Sequence, residues 1–351
     1  MFEKFLDTPK NLFGLDIGYK SIKVVELKKS GKFYNLSGFG EVVVRPGSIQ
    51  KNGIAAKKEL AKLIKHSLDI AKPKKIVTKN ACSALSASMV FSKILKLPQM
   101  KKAELDKAIP FEAADFFPIP LSELNLDWHI LNSNSPQGAG SEIEVMVFGA
   151  PKVIVKDLIA VTKLAGLNLM ALETKPISTA RAIIDDEKST VVLVDIGAEI
   201  TSISIYDQGT IKITVTIKTG GDVMVKDMSA SLGISPEAAE KIIFTQGLEL
   251  DKNNEQNSAI INNIQLIVNE IDQNIKYYEN RINPKAQFSK ILLAGGGSEL
   301  ANIDKFIESK LGIPTVIANP WTKIKANRSD MPNAKDALKY ATAIGLAMRE
   351  L

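Results

Sequence analysis

Two stretches of this chain carry residue types that hold phosphate. Near the start, Leu12-Phe-Gly-Leu-Asp16-Ile-Gly18-Tyr19-Lys20-Ser21-Ile-Lys23 reads as strand, tight turn and strand. Far downstream, Val191-Val-Leu-Val-Asp195-Ile-Gly197-Ala198-Glu199-Ile-Thr201 repeats the pattern. A turn whose backbone N–H groups point outward cradles phosphate, and a carboxylate beside it can hold Mg²⁺ through water. One Asp-Ile-Gly turn is more often a plain hairpin; the near copy is what points to a duplicated architecture with a ligand between its halves.

Two further glycine turns belong with these. Gly220-Gly221-Asp222 follows a strand over 210–218, and Gly295-Gly296-Gly297-Ser298 follows the apolar run at 290–294. Gly295-Gly296-Gly297 lacks the spacing and lysine of a P-loop and the Gly-x-Gly-x-x-Gly fingerprint of dinucleotide binders. Glycines here remove side chains, so that a flat ring can lie against backbone where a helix starts.

Composition bounds the possibilities. A chain of 351 residues is more than one core usually serves, and 45% apolar with 24% charged residues is ordinary for a folded soluble protein. No apolar run approaches the roughly 20 residues of a membrane span, and no secretory signal is visible. The first seven residues are weakly amphipathic, too short to anchor anything alone. Cys82 forbids an internal disulfide and fits a reducing cytoplasm; with only His66 and His129 beside it, a soft transition-metal site is not expected. His129, next to Trp128 in a hairpin strand, reads as a packing residue. The net charge of +6 is nearly all lysine, and Arg45, Arg181, Arg281, Arg328 and Arg349 are scattered. That argues against base reading, so no nucleic-acid partner is expected. Lys57, Lys58, Lys62 and Lys65 form the solvated face of a helix whose other face carries Leu60, Leu63, Ile64 and Leu68. Such a face can also lie near anionic lipid.

In chain order, the first turn opens an α/β unit over 1–88: short strands at 32–35 and 41–44 turned at Gly38, an amphipathic helix, then strands at 75–78 and 81–85. A strand–helix–strand–strand–helix–strand module follows over 89–175, with Pro110 expected to kink or restart its first helix and a loop at 132–141. A second α/β half spans 176–330 and includes a long helix over 257–281. An alanine-rich helix over 334–349 closes the chain, and the segment 331–351 returns to the first half.

The four glycine turns, in this order, resemble the actin-like ATPase superfamily, which includes actin, the heat-shock chaperone ATPases, the sugar kinases, MreB and FtsA. The resemblance implies an α/β, ribonuclease H-like fold duplicated around a cleft for ATP and Mg²⁺, with an inserted α+β subdomain of FtsA type. Residue by residue it implies phosphate contacts from Gly18, Tyr19, Lys20, Ser21 and Lys23, and from Gly197, Ala198 and Thr201. It implies ribose and adenosine contacts from Gly220, Gly221, Asp222, Glu240, Gly296, Gly297 and Ser298. Asp16 and Asp195 would hold Mg²⁺ through water.

The inserted module, the run Phe111-Glu-Ala-Ala-Asp-Phe116-Phe117-Pro-Ile-Pro before a strand carrying Asp127, and Asn319-Pro320-Trp321 look most like the PilM family of type IV pilus assembly proteins. That resemblance spans essentially the whole chain. FtsA-type proteins end in an amphipathic membrane helix, which Met348-Arg-Glu-Leu351 does not continue into. The PilM resemblance implies a cytoplasmic protein held at the inner membrane by the N-terminal segment of a PilN-like partner. That segment would lie in a groove between the first half and the module, with Phe111, Phe116 and Phe117 as candidate lining residues. Contacts with other pilus motor components and self-association are also within its scope.

Two departures bear on turnover. Hydrolysing relatives often carry an acid before the proline ahead of the second turn, where this chain has Lys175 before Pro176. The lysine usual three residues after the ribose glutamate is replaced by Ile243. Nucleotide binding with weak or absent hydrolysis is therefore expected, with ATP as a conformational ligand. An FtsA- or MreB-like filament-forming ATPase and a small-molecule kinase of the same fold are the alternatives.

Overall fold

The computed structural model describes residues 11–50, 53–131, 142–186, 188–248 and 255–350. The amphipathic opening segment and the 132–141 loop lie outside them. Phe13–Ile17 (β1), Ser21–Ser30 (β2) and Phe33–Val43 (β3) form an antiparallel meander. The sequence predicts two strands where β3 runs unbroken: a register shift opposite Glu26 and Leu27 absorbs the irregularity. Ile49–Gln50 (β4) pairs with Gly53–Ile54 (β5), and the amphipathic helix Lys57–Asp69 (α1) follows. Lys72–Pro73 (β6) pairs with β3, residues 75–78 form no strand, and Asn80–Leu85 (β7) runs parallel to β1.

Phe91–Pro98 (β8), Lys102–Ala113 (α2), Leu124–Ile130 (β9) and Glu142–Pro151 (β10) make the inserted layer. Its three-stranded antiparallel sheet is ordered β8-β10-β9. Leu105, Ile109 and Ala113 of α2 pack on Leu95, Leu97, Val145 and Val147 of that sheet. This face carries α2 through Pro110 without a break. Lys152–Leu164 (α3) then leads to Asn168–Thr174 (β11) and Lys175–Ile183 (α4). β11 is the last strand of the predicted module, yet it pairs with β7 in the first sheet. The cause is α3, whose Val161 packs with Leu60 and Ile64 of α1 and so delivers the chain to that sheet.

The second half repeats the first. Thr190–Ile196 (β12), Thr201–Asp207 (β13) and Thr210–Ile217 (β14) form the meander. Gly221–Leu232 (α5), Pro236–Gln246 (α6) and Glu255–Arg281 (α7) cross over to Phe288–Ala294 (β15), which is parallel to β12. Ile303–Leu311 (α8) leads to Thr315–Ile317 (β16), parallel to β15. Counting strands within each half, both sheets read 3-2-1-4-5: β14-β13-β12-β15-β16 here and β3-β2-β1-β7-β11 there. Ile324–Lys325 (β17) rejoins β3. The expected closing helix is divided into Ala334–Ala337 (α9), a 3₁₀ turn at Leu338–Tyr340 and Ala341–Ala347 (α10).

Strand alternation builds the layers. Val192, Val194 and Ile196 face α5, α6, α7 and α8, whereas Val191 and Leu193 face α4 and α10. Val25 and Leu27 of the first sheet reach the same α4–α10 layer, so one core joins the two sheets. Phe13, Leu15, Ile22 and Val24 pack outward on α1 and α3. The sheets are thus fixed side by side, with the ends of β1 and β12 opposed.

Candidate functional site

The two Asp-Ile-Gly turns are built alike. The Gly18 N–H donates to the Ser21 carbonyl at 3.0 Å, and the Gly197 N–H donates to the Ile200 carbonyl at 3.0 Å. A Cβ added at Gly18 would lie 3.0 Å from Ser21 O, and one at Gly197 2.9 Å from Ile200 O, so both turns favour glycine through the same close approach. Each stands at the C-terminal end of the first strand of its sheet, where open α/β sheets bind ligands. Between them lies a cleft of about 750 Å³.

Asp16, Gly18, Tyr19, Lys20, Ser21, Lys23, Asp195, Gly197, Ala198, Gly221, Asp222, Glu240, Gly296 and Gly297 all line this cleft. Three predicted contacts do not. The Thr201 hydroxyl donates to Thr219 O at 2.6 Å, and the Ser298 hydroxyl donates to Ala294 O at 2.7 Å. Gly220 backs onto the second turn, where a Cβ would lie 2.6 Å from Gly197 O. These residues shape the turns and do not face the space between them. The Gly-Gly-Asp segment is bonded to the second turn, with Gly221 N–H to Gly197 O at 2.9 Å and Asp222 N–H to Ala198 O at 2.8 Å. Helix α5 starts there and brings its positive dipole end beside Gly197. At the third glycine turn, Gly295 has φ 82° and a Cβ would collide with Asp195 Oδ1; one at Gly297 would collide with Ile196. A Cβ at Gly296 would meet nothing within 4 Å.

Several lining residues escape sequence reading. Glu237, Lys241, Phe244 and Thr245 share with Glu240 one face of α6. Helical spacing from Glu240 was the available signal. Glu41, Asp336 and Lys339 have none, because they meet only through the register of β3 and the return of the C-terminal segment. Asp16, Lys23 and Glu41 are lateral neighbours across β1, β2 and β3.

The floor is a buried network of charge. Lys23 donates to Ser21 Oγ at 2.7 Å and lies 3.7 Å from Glu41. Burial holds the Lys23 ammonium below its ordinary pKa, against the pull of Asp16 and Glu41. Lys339 binds Glu41 at 2.6 Å and Asp336 at 2.7 Å. Lys175 Nζ sits 2.6 Å from Asp16 Oδ1. Although that oxygen is sealed from solvent without a well-angled hydrogen bond, the ammonium is its counter-charge. Burial alone would lower the Lys175 pKa, but Asp16 and then Asp195 outweigh it and the pKa is raised. Asp195 is itself raised by burial, with Lys175 opposing. At the rim, Lys20 spans the halves, 2.8 Å from Asp222 and 3.0 Å from Glu240.

The donor set does not fit a hydrated Mg²⁺ as the resemblance implies. Of the two carboxylates, Asp16 already faces the Lys175 ammonium, and Asp195 is under the field of the same cation. Among the described residues, no three His, Cys, Asp or Glu side chains converge as metal ligands.

The model of the type IV pilus assembly protein PilM matches residues 14–351. The chain belongs to the PilM family. Among solved structures, the PilM–PilN type IV pilus biogenesis complex is similar with a TM-score of 0.84 and 24% identity, covering 96% of this chain and 98% of that one. MreB5 of Spiroplasma citri bound to ADP is similar at TM-score 0.56 and 14% identity, over 96% of this chain and 95% of that one. The fold is therefore actin-like. The cell division protein FtsA of Bacillus subtilis (strain 168) is 25% identical over 249 residues, 65% of this chain and 56% of that protein. FtsA of Neisseria meningitidis serogroup B is 28% identical over 167 residues, 44% of this chain and 40% of that protein. The chain thus spans about half the length of the curated relatives it matches.

Among the described residues no helix is long and apolar enough to cross a membrane. Of the groove candidates, Phe117 is core to the inserted layer, its ring 6.1 Å from that of Phe91. Phe111 is 81% exposed, and Phe116 is 50% exposed with Lys93 over its ring.

Proposed function

We propose that this chain is a nucleotide-binding scaffold of type IV pilus assembly, with ATP held between the two Asp-Ile-Gly turns. The observation that carries the reading is the pair of glycine turns closed by the same hydrogen bond, one from each half, lining one cleft large enough for a nucleotide. The N–H groups of both turns that do not close them would take the phosphates, with Lys23 beneath them. Asp222 and Glu240 would take the ribose, and the open face at Gly296 the adenine. Hydrolysis would be slow or absent, because Lys175 lines the cleft where a carboxylate would orient water.

The partner would be the N-terminal cytoplasmic segment of a PilN-like inner-membrane protein, bound as a peptide between the first half and the inserted layer. Phe111 and Phe116 are the candidate apolar anchors, and the membrane association is indirect. What supports this is the family and the likeness to the PilM–PilN complex. Isothermal titration of the protein with ATP, then with a synthetic PilN N-terminal peptide, tests both halves of the reading. Saturable heat is expected from each. Absence of heat from ATP overturns the nucleotide site, and absence from the peptide overturns the partner.

A further inference from the structure

We propose that the Lys175 ammonium is the resident cation of this cleft, and that nucleotide phosphates bind there without a divalent metal ion. The inference rests on the nucleotide reading above. Lys175 is the first residue of α4 and is reached from the C-terminal end of β11, the fifth strand of the first sheet. Its Nζ lies 2.6 Å from Asp16 Oδ1 and 3.9 Å from where a Cβ of residue 18 would stand, so it is within the first phosphate turn. Asp195, from the second turn, is also close enough to act on it electrostatically. One cation is therefore paired with Asp16 and acts on Asp195, the two carboxylates that the resemblance assigns to a metal.

Three physical features favour the lysine over an ion. Mg²⁺ demands near-octahedral oxygen positions and keeps several waters, whereas here the inner oxygen of Asp16 already faces a fixed positive charge. A dication placed against the same carboxylate would be repelled by that charge. A lysine ammonium is a compact point charge with three donors. The charge can stay beside Asp16 while its hydrogens turn to phosphate oxygens in the cleft. The side chain is only 20% exposed, so the charge is held in place rather than sampled from solvent.

Titrating ATP by calorimetry in EDTA and again in excess MgCl₂ separates the possibilities. The wild-type protein is expected to bind at least as tightly in EDTA as in excess MgCl₂, where nearly all ATP is carried as its Mg²⁺ chelate, and Lys175→Met to weaken binding by about tenfold or more in EDTA, with recovery in MgCl₂. Lys175→Arg, which keeps the charge, should retain the wild-type pattern. Wild-type binding that requires Mg²⁺, or Lys175→Met binding unchanged in EDTA, overturns the inference and leaves the nucleotide reading standing. No wild-type heat in either buffer removes both. If Lys175→Met fails to fold, as its melting curve would show, the two wild-type titrations still decide.

Discussion

Adjacent glycines at the third turn are there for different reasons, and substitution separates them. At Gly297 a methyl group would be driven into Ile196, the last residue of the strand that carries the second turn. At Gly296 the same methyl would enter open space in the cleft. Gly297→Ala is thus expected to destabilise by about 1–3 kcal/mol through overpacking. Gly296→Leu should leave the melting temperature nearly unchanged and abolish ATP binding. Equal melting curves for the two variants, with binding kept in Gly296→Leu, would contradict this division. Buried protons set a second expectation. Burial pushes the Cys82 thiol from 9.0 up to about 11. It also raises Tyr278, whose hydroxyl donates to Asp207 at 2.7 Å, and Tyr340. A raised folded value favours the protonated native form, so this stability is complete below the unfolded values and is lost as pH climbs from them through the raised folded ones. The melting temperature should hold from pH 7 to about 9 and then fall, each group adding about 1.4 kcal/mol per pH unit. Cys82→Ala should delay the onset toward the tyrosine range near 10.0. A flat melting temperature up to pH 11 would refute the assignment.

Among the elements, the α4–α10 pair decides whether the two sheets stay joined. A Cβ at Gly345 of α10 would overlap the Ser178 carbonyl oxygen of α4, and one at Gly14 of β1 would overlap Ala343 O of α10. Alanine in a helix is worth about 1 kcal/mol over glycine, so propensity alone predicts that Gly345→Ala stabilises. The overlap costs more, because a backbone carbonyl on a buried helix cannot give way. Gly345→Ala should lower unfolding free energy by roughly 2–3 kcal/mol in a urea titration. A gain would mean that α10 slides freely on α4. The same level shows what the sequence could reveal. The Asp-Ile-Gly turns are legible because their geometry is local, four residues closing on themselves. The sheet that β11 joins is not legible, because nothing in its own residues names its neighbour; α3, docked on α1, sets it. Pro110 signalled a break that tertiary packing of α2 overrode. Lys175 was visible as an anomaly in the chain, but its ion pair with Asp16 joins positions far apart in sequence and exists only once the first sheet has formed.

For the molecule as a whole, duplication places one of the two matched glycine turns on each sheet, and the shared α4–α10 core holds the halves together at one side of the cleft. At the other side they meet through Lys20 with Asp222 and Glu240, all about half exposed. Exposed pairs of this kind contribute about 0–1 kcal/mol and are screened by salt, so they tether the rim without locking it. A nucleotide spanning both turns would add far more: at 100 times its dissociation constant, about 2.7 kcal/mol. That stabilisation would need both halves, since each sheet carries one of the two turns. Hydrogen exchange resolves where it is felt. With ATP present, the amides of 18–21 on the first sheet and of 197–200 on the second should slow together, with 295–297 following them. Lys20→Ala should leave the global melt within about 1 kcal/mol of wild type and speed exchange at both turns in the absence of ATP. Protection confined to one half would mean that the ligand sits on a single sheet, and that the two turns, although alike in geometry, do not act on the same molecule.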